Sequence, residues 1–277
     1  MHRPALYAMA TKDGFAPSPL AIRDCFLIYG DRCLVGNEAF QVESHRIPSS
    51  QDLCQTITCD NIPTNNLYST ATWDEFNGEQ VARPYLHTAN ILRYGTDVFI
   101  SGGYETTGNK AGMQYAIDWF KIHHPSTTVH LVENAIDHLD GYIHFIRPGL
   151  ALSSLPKSLL PDFFKSWDII ECTRLNKHKI YGSTYAHKYR KLNPIVARQY
   201  TTFMQANPEE TFFILNGLTL NENTVILPGV DITVFNHLEK RGVEPISVDF
   251  RATTFFDCGI HCATNELARE GACETYR

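Results

Sequence analysis

Two short clusters in this sequence bring together groups able to do nucleophilic and acid–base chemistry. The first is Gly259-Ile260-His261-Cys262, within the run Phe255-Phe256-Asp257-Cys258-Gly259-Ile260-His261-Cys262-Ala263-Thr264-Asn265. A glycine just before a His-Cys pair lets the backbone turn sharply and brings a thiol close to a ligand. A free cysteine with a pKa of about 8.5 is largely protonated at neutral pH, so a nucleophile needs positive charge beside it. A bound cation such as a guanidinium supplies that charge. On local sequence alone, Cys262 also reads as one more buried thiol among eight cysteines.

The second cluster is Asp137-His138-Leu139-Asp140-Gly141, directly before the β-rich run 142–146. Alternation along an extended chain places His138 and Asp140 on one side, which suits a base beside a carboxylate. His138 is able to move protons to and from nitrogen, while Asp140 accepts hydrogen bonds from a guanidinium or orients the imidazole. Asp/His pairs at turns are also ordinary surface features. No metal is expected, because His123-His124 and Cys54-x4-Cys59 lack partners at a ligand spacing. Nothing matches GxGxxG or GxxxxGK[ST], so no nucleotide or other cofactor is implied.

The elements that must carry these clusters are short. β-Rich runs fall at 25–29, 98–101, 129–132, 142–146, 150–153, 168–171, 213–215, 225–227 and 246–249. Helical apolar spacing occupies 111–122, 159–164, 194–204 and 232–241, the last followed by Gly242 as a stop. The order strand, strand, helix, strand recurs and predicts one α/β domain over 1–277 built of ββαβ units, although no repeat is legible in residue identity. Residues 13–19 read as an arm or loop, and 51–73 as a long polar excursion.

Composition narrows the function classes. The chain has 277 residues, 43% of them apolar, enough for a well-buried core. A net charge of -6 with mixed signs argues against a nucleic-acid groove and suits a small cationic substrate. No apolar run approaches the roughly 20 residues needed to cross a bilayer, so a soluble, cytoplasmic protein is expected. The cysteines show no CxxC pair and are too sparse for a disulfide scaffold, which leaves most of them as buried apolar side chains.

Taken together the clusters resemble the amidinotransferase branch of the guanidine-modifying pentein superfamily. His138-Leu139-Asp140 followed by Ile146-Arg147-Pro148-Gly149-Leu150-Ala151-Leu152-Ser153 looks like that family's HxD, strand, GPG, strand segment. Gly259-Ile260-His261-Cys262 occupies the place of its nucleophile motif. Ile22-Arg23-Asp24 before 25–29, and Thr88-Ala89-Asn90-Ile91-Leu92-Arg93 before Asp97-Val98-Phe99, are similar to segments that set acidic groups against the guanidinium. The resemblance implies a pseudo-five-fold propeller of ββαβ units, with the first unit shortened here. It also implies Cys262 as nucleophile, His138 as proton shuttle and Asp140 and Asp24 as carboxylate partners, with His261 beside the substrate. The expected ligands are arginine and an amine acceptor, with neither nucleic acid nor membrane as partner. A shortened unit would leave surface to cover, so a homo-oligomer is expected.

Three departures from that family keep alternatives open. Asn90 stands where amidinotransferases carry an aspartate that grips the substrate, and an asparagine there resembles the arginine and succinylarginine dihydrolases, which release ammonia. Lys157 falls where the transferase uses an arginine on the substrate carboxylate, so a point charge replaces a bidentate donor. Asp257-Cys258 replaces glycines. The alternatives to a transferase are therefore a hydrolase of arginine or a substituted arginine, and a catalytically inactive binding relative.

Overall fold

Short runs of β-branched and aromatic residues punctuated by glycine produce hairpins here, and the hairpins recur with the same third partner. The computed structural model describes residues 22–36, 58–62, 73–76, 79–82, 84–102, 108–135, 138–172, 176–179, 209–212, 214–248 and 259–266. After a helical turn, α1 (Ile22–Cys25), strands β1 (Phe26–Tyr29) and β2 (Arg32–Val35) pair antiparallel, and β3 (Thr58–Asn61) joins β2 in parallel. A separate hairpin follows, β4 (Trp73–Phe76) with β5 (Glu79–Ala82). The antiparallel-then-parallel pattern returns in β6 (Ile91–Tyr94), β7 (Asp97–Ser101) and β8 (Thr128–Val132). It returns again in β9 (Ile143–Arg147), β10 (Leu150–Ser153) and β11 (Asp168–Glu171). The antiparallel pair β12 (Asn176–Lys179) and β13 (Glu209–Phe212) precedes the last such sheet, β14 (Leu218–Asn221), β15 (Thr224–Pro228) and β16 (Glu244–Val248).

A parallel partner requires a crossover. Two of the crossovers are helices, α2 (Lys110–His123) and α3 (Ile232–Glu239). Asn109 caps α2 by accepting from the Gly112 N–H, and Asp231 caps α3 by accepting from the Thr233 and Val234 N–H groups, so each helix begins where a side-chain oxygen satisfies its free donors. The helix expected over 232–241 ends two residues early because its last turn tightens: the Arg241 N–H bonds the Leu238 carbonyl at 2.9 Å, before Gly242 at φ 72° reverses the chain. The crossover between β10 and β11 is made of two 3-10 turns, Lys157–Leu159 and Asp162–Ser166, where a helix over 159–164 was expected. Pro156 and Pro161, one before each turn, break that stretch into two short pieces.

The cores lie between successive sheets. Leu27 and Leu34 pack with Ile91, Val98 and Ile100 and with Trp119 and Phe120 of α2. Leu92, Phe99 and Val132 pack with Leu139, Ile143, Ala151 and Phe164. Ile146, Leu150 and Ile170 pack with Val225, Leu227, Val234 and Leu238. Each sheet is thus glued to the next, and burying a side chain such as Phe99 contributes on the order of 2–3 kcal/mol.

Other expectations are corrected. Of the run 213–215, the described residues Ile214 and Leu215 are not in a strand but fully buried in a turn, so their apolar character reflects core position and not extension. Cys33 and Cys262 are buried thiols outside any disulfide, but Cys59 is disulfide-bonded. Disulfides are uncommon in the reducing cytosol, so this bridge lends no support to a cytoplasmic location. The arm at 13–19, most of 51–73, the helix at 194–204 and Asp257-Cys258 lie outside the described residues. Among the described residues no helix is long and apolar enough to cross a membrane.

Candidate active site

The residues singled out by type sit almost entirely in the turns that lead into the first strand of each sheet. These are α1, the 3-10 turn Thr88–Asn90 before β6, the 3-10 turn Leu139–Gly141 before β9, and 214–217 before β14. A further turn, 259–264, joins them. Backbone groups tie the turns together. The Arg23 N–H donates to the Cys262 carbonyl at 3.1 Å, the Thr88 hydroxyl to the Arg23 carbonyl at 2.6 Å, and the Ile260 N–H to the Asn216 carbonyl at 3.0 Å.

Cys262, Asp140, Asn216 and His261 form the centre. The Cys262 thiol donates to Asp140 Oδ2 at 3.3 Å, and Asn216 Nδ2 lies 3.1 Å from Sγ and 3.0 Å from the same carboxylate oxygen. Asn216 Oδ1 accepts from the Cys262 backbone N–H at 3.1 Å, so one amide holds both the thiol and its peptide. His261 donates from Nδ1 to Asp140 Oδ2 at 2.9 Å. A Cβ on Gly259 would lie 2.0 Å from Asn216 Oδ1, so glycine is required here for close approach, with no left-handed backbone involved.

Burial alone would raise the Asp140 carboxyl, but the His261 hydrogen bond and the charges of His261, His138 and Arg23 hold it well below the usual carboxylate range. It is an anion at neutral pH. Burial, then the Arg23 charge, lowers His261, so this imidazole is neutral near pH 7 and donates from a fixed tautomer. Arg23 is itself only 3% exposed and donates from Nε to the carbonyls of His261 and Thr264 at 3.0 and 3.1 Å. It is both a clamp on the cysteine turn and a countercharge for Asp140.

His138 does not share a face with Asp140 as an extended chain would require. The Gly141 N–H bonds the His138 carbonyl at 3.1 Å and closes a 3-10 turn, which sends the two side chains to different neighbours. His138 Nδ1 lies 3.7 Å from Asp24 Oδ1, and its Nε2 lies 2.8 Å from His87 Nδ1. His87 Nε2 in turn lies 2.6 Å from the Tyr85 hydroxyl. Asp24, His87 and His138 bring ligand-type atoms within 4.8 Å of one another. Two zinc-bound imidazole nitrogens, however, stand about 3.3 Å apart, as Zn–N bonds of about 2.0–2.1 Å in a tetrahedron dictate. The shorter separation of the two imidazoles is that of a hydrogen bond, and such bonds join Tyr85, His87 and His138 in a chain beside Asp24.

Asn90 is fully buried at the end of the turn that follows His87. Lys157 lies apart: its ammonium donates to the Trp167 carbonyl at 2.5 Å and its N–H to Glu171 Oε1 at 2.9 Å, and none of the described hydrogen bonds or ion pairs joins it to the cysteine cluster. Sequence reasoning missed Asn216, Arg23 as a clamp, and His87. The available signal was positional, since every one of them precedes the first strand of a sheet, as Asp24 and Asp140 do.

Removing the Asn216 side chain leaves the Cys262 N–H and an Asp140 oxygen without this partner. Asp140 keeps His261 and Cys262 as donors, so the loss falls mainly on the buried N–H, at a cost of about 1–3 kcal/mol. Asn216→Ala is therefore expected to lower the urea midpoint and to change the alkylation rate of Cys262, read by peptide mass spectrometry; an unaltered rate would show that this amide does not hold the thiol.

No protein-family model matches the chain. It is 26% identical over 202 residues to inosamine-phosphate amidinotransferase 1 of Streptomyces glaucescens, a match covering 70% of this chain and 49% of that protein. The chain spans about half the length of the curated relatives it matches. Among solved structures it is similar to SxtG, an amidinotransferase from Microseira wollei in the saxitoxin biosynthetic pathway, with a TM-score of 0.62 at 21% identity, covering 95% of this chain and 73% of that one. A dimethylarginine dimethylaminohydrolase aligns with a TM-score of 0.56 at 13% identity, covering 88% of this chain and 74% of that one. The chain thus resembles the amidinotransferases in sequence, and shares its fold with SxtG and with the dimethylarginine dimethylaminohydrolase.

Proposed function

We propose that the chain is an arginine:amine amidinotransferase, working through an amidino-cysteine intermediate at Cys262 within a pentein ring of ββαβ units. The observation that carries this reading is the thiol of Cys262 held against the anionic Asp140 by Asn216 and the cysteine turn. A guanidinium is planar and presents several N–H donors, so a carboxylate beside a nucleophile both orients it and favours its cation. That cation then favours the thiolate.

Cys262 attacks the guanidinium carbon, the C–N bond to the side-chain nitrogen breaks, and His138 gives a proton to the departing ornithine. Asp140 and Asp24 hold the remaining N–H groups, and His261 keeps Asp140 in place. His138 then takes a proton from an incoming amine as that amine attacks the amidino-thioether, which frees the thiol. The name and fold of the relatives support amidino transfer; Asn90 is the observation that favours water as the acceptor, a hydrolase reading.

Incubating the protein with guanidino-labelled arginine and a panel of amines, including glycine and lysine, separates the two. Ornithine together with a labelled guanidino product is expected, and ammonia without any acceptor would replace the transferase by the hydrolase. Under the hydrolase reading Asn90→Asp reduces ammonia release, roughly tenfold if one neutral hydrogen bond in the site becomes charge-assisted. Unchanged products would remove Asn90 from the site.

A further inference from the structure

Tyr85 and His87 have no part in the reaction as written, yet they are bonded in series to its acid–base group. The protons in this series can be assigned. Asp24 lies beside His138 Nδ1, so that nitrogen carries the proton, because a lone pair there would face a carboxylate. With His138 a neutral imidazole, its Nε2 is then the acceptor, and His87 Nδ1 at 2.8 Å donates to it. This leaves His87 Nε2 to accept from the Tyr85 hydroxyl at 2.6 Å. The hydrogen bonds run in one sense, from Tyr85 through His87 to His138, whose Nδ1 faces Asp24 at 3.7 Å. His87 is 7% exposed, whereas Tyr85 is only partly buried, so the series leads from a dry interior towards solvent. Of the charged groups facing His138, Asp24 on α1 lies 3.7 Å from its Nδ1, and Asp140 on the neighbouring turn feels its charge.

This arrangement constrains the chemistry. If His138 gave up its Nδ1 proton while Nε2 stayed bare, it would become an imidazolate, a species out of reach near neutral pH. It has to receive a proton at Nε2 in the same motion. We propose that His87 and Tyr85 are the proton conduit of His138, a role that rests on the reading of His138 as the acid–base group of a guanidine-modifying enzyme. As the His138 Nδ1–H bond breaks and an N–H bond forms on the leaving amine, the His87 Nδ1 proton passes to His138 Nε2. The Tyr85 proton passes to His87 Nε2, and solvent reprotonates the phenolate. The shift leaves His138 Nδ1 bare, which is the form needed to take a proton from the incoming amine. Running the shift backwards then returns that proton to solvent and restores the starting tautomers. One conduit thus serves both halves of the reaction.

The test combines kinetics with NMR on the full chain. His87→Gln keeps an N–H that can point at His138 Nε2 but has no second ring nitrogen to pass a proton on, and Tyr85→Phe removes only the outer hydroxyl. The expected result is a fall in kcat of roughly 10²-fold for His87→Gln, as for loss of acid–base catalysis, and a smaller fall for Tyr85→Phe. KM and the alkylation rate of Cys262 should hold, and the solvent deuterium isotope effect on kcat should change in both variants. Wild-type kcat and an unshifted pH profile in His87→Gln would overturn the proposal. Independently of turnover, 15N spectra of histidine-labelled protein should show Nδ1–H tautomers at both residues and a coupling between His87 Nδ1 and His138 Nε2. An Nε2–H tautomer at His138, or no coupling, overturns the conduit. A wild-type protein that shows the coupling but has no Cys262-dependent turnover sinks the functional reading while upholding the bonded series.

Discussion

Cys262→Ala is expected to abolish turnover of arginine, by at least about 10⁴-fold, as when the attacking atom of a covalent mechanism is removed. No described neighbour can substitute for it. Burial pushes the thiols of Cys33 and Cys172 up to about 12, which leaves them protonated and unreactive, and Cys59 is oxidised. Cys262 alone among these has a carboxylate, an amide donor and a turn of backbone arranged around its sulfur. Alanine fits the site, and the Asn216 to Asp140 hydrogen bond survives, so the fold should persist with a stability change of about 1 kcal/mol. Alkylation supplies the second readout. Cys262 should label faster than Cys33 and Cys172, and arginine should protect it. Equal rates without protection would favour the binding relative and remove the chemical reading of this cluster.

Asp140→Asn is expected to lower kcat/KM by about 10³-fold or more and to remove a component of acid sensitivity. The carboxylate is 2% exposed and accepts from Cys262, Asn216 and His261 on one oxygen. Asparagine retains one acceptor oxygen but no charge with which to hold a guanidinium cation. The sign of the pH effect follows from the depressed carboxyl. Its contribution to stability is fully present above the unfolded value of about 3.9 and is lost as the pH falls towards the lower folded value. Wild-type protein should therefore lose stability from about pH 4 downward, and Asp140→Asn should lack that slope. At neutral pH the variant should be less stable by roughly 3–5 kcal/mol, the scale for breaking a buried charge pair. Urea denaturation at pH 7 and pH 3 measures both quantities. Equal slopes for the two proteins would mean that Asp140 is not the buried anion described here.

How much of this was legible depended on the range of the physics involved. The strand runs at 98–101, 150–153 and 168–171, the helix over 111–122 and its sister ending near Gly242 were readable because propensity and apolar spacing act within a few residues. Strands β2, β3, β4, β5, β6, β12, β13 and β14 escaped notice. They are four residues long, and with mixed or wholly polar side chains they form only because a neighbouring strand supplies their hydrogen bonds. Ile214 and Leu215 misled for the complementary reason, since a buried turn and a buried strand have the same hydrophobicity.

The amino-acid sequence by itself determined the chemical inventory: a His-Cys pair after a glycine, an HxD turn ahead of a hairpin, the recurring strand order and the resemblance to guanidine-modifying enzymes. It did not determine which turns would meet. Arg23 contacts His261 across 238 positions, Asn216 meets Cys262 across 46, and His87 meets His138 across 51. Those pairings are decided by the apolar cores that glue each sheet to the next, and so set which entry turns face one another. The tertiary structure also reversed a local inference by closing a 3-10 turn at Leu139–Gly141, which sends Asp140 to the thiol and His138 to His87. Alternation along the chain is a property of extended backbone, and a single turn held by packing at either end is enough to cancel it.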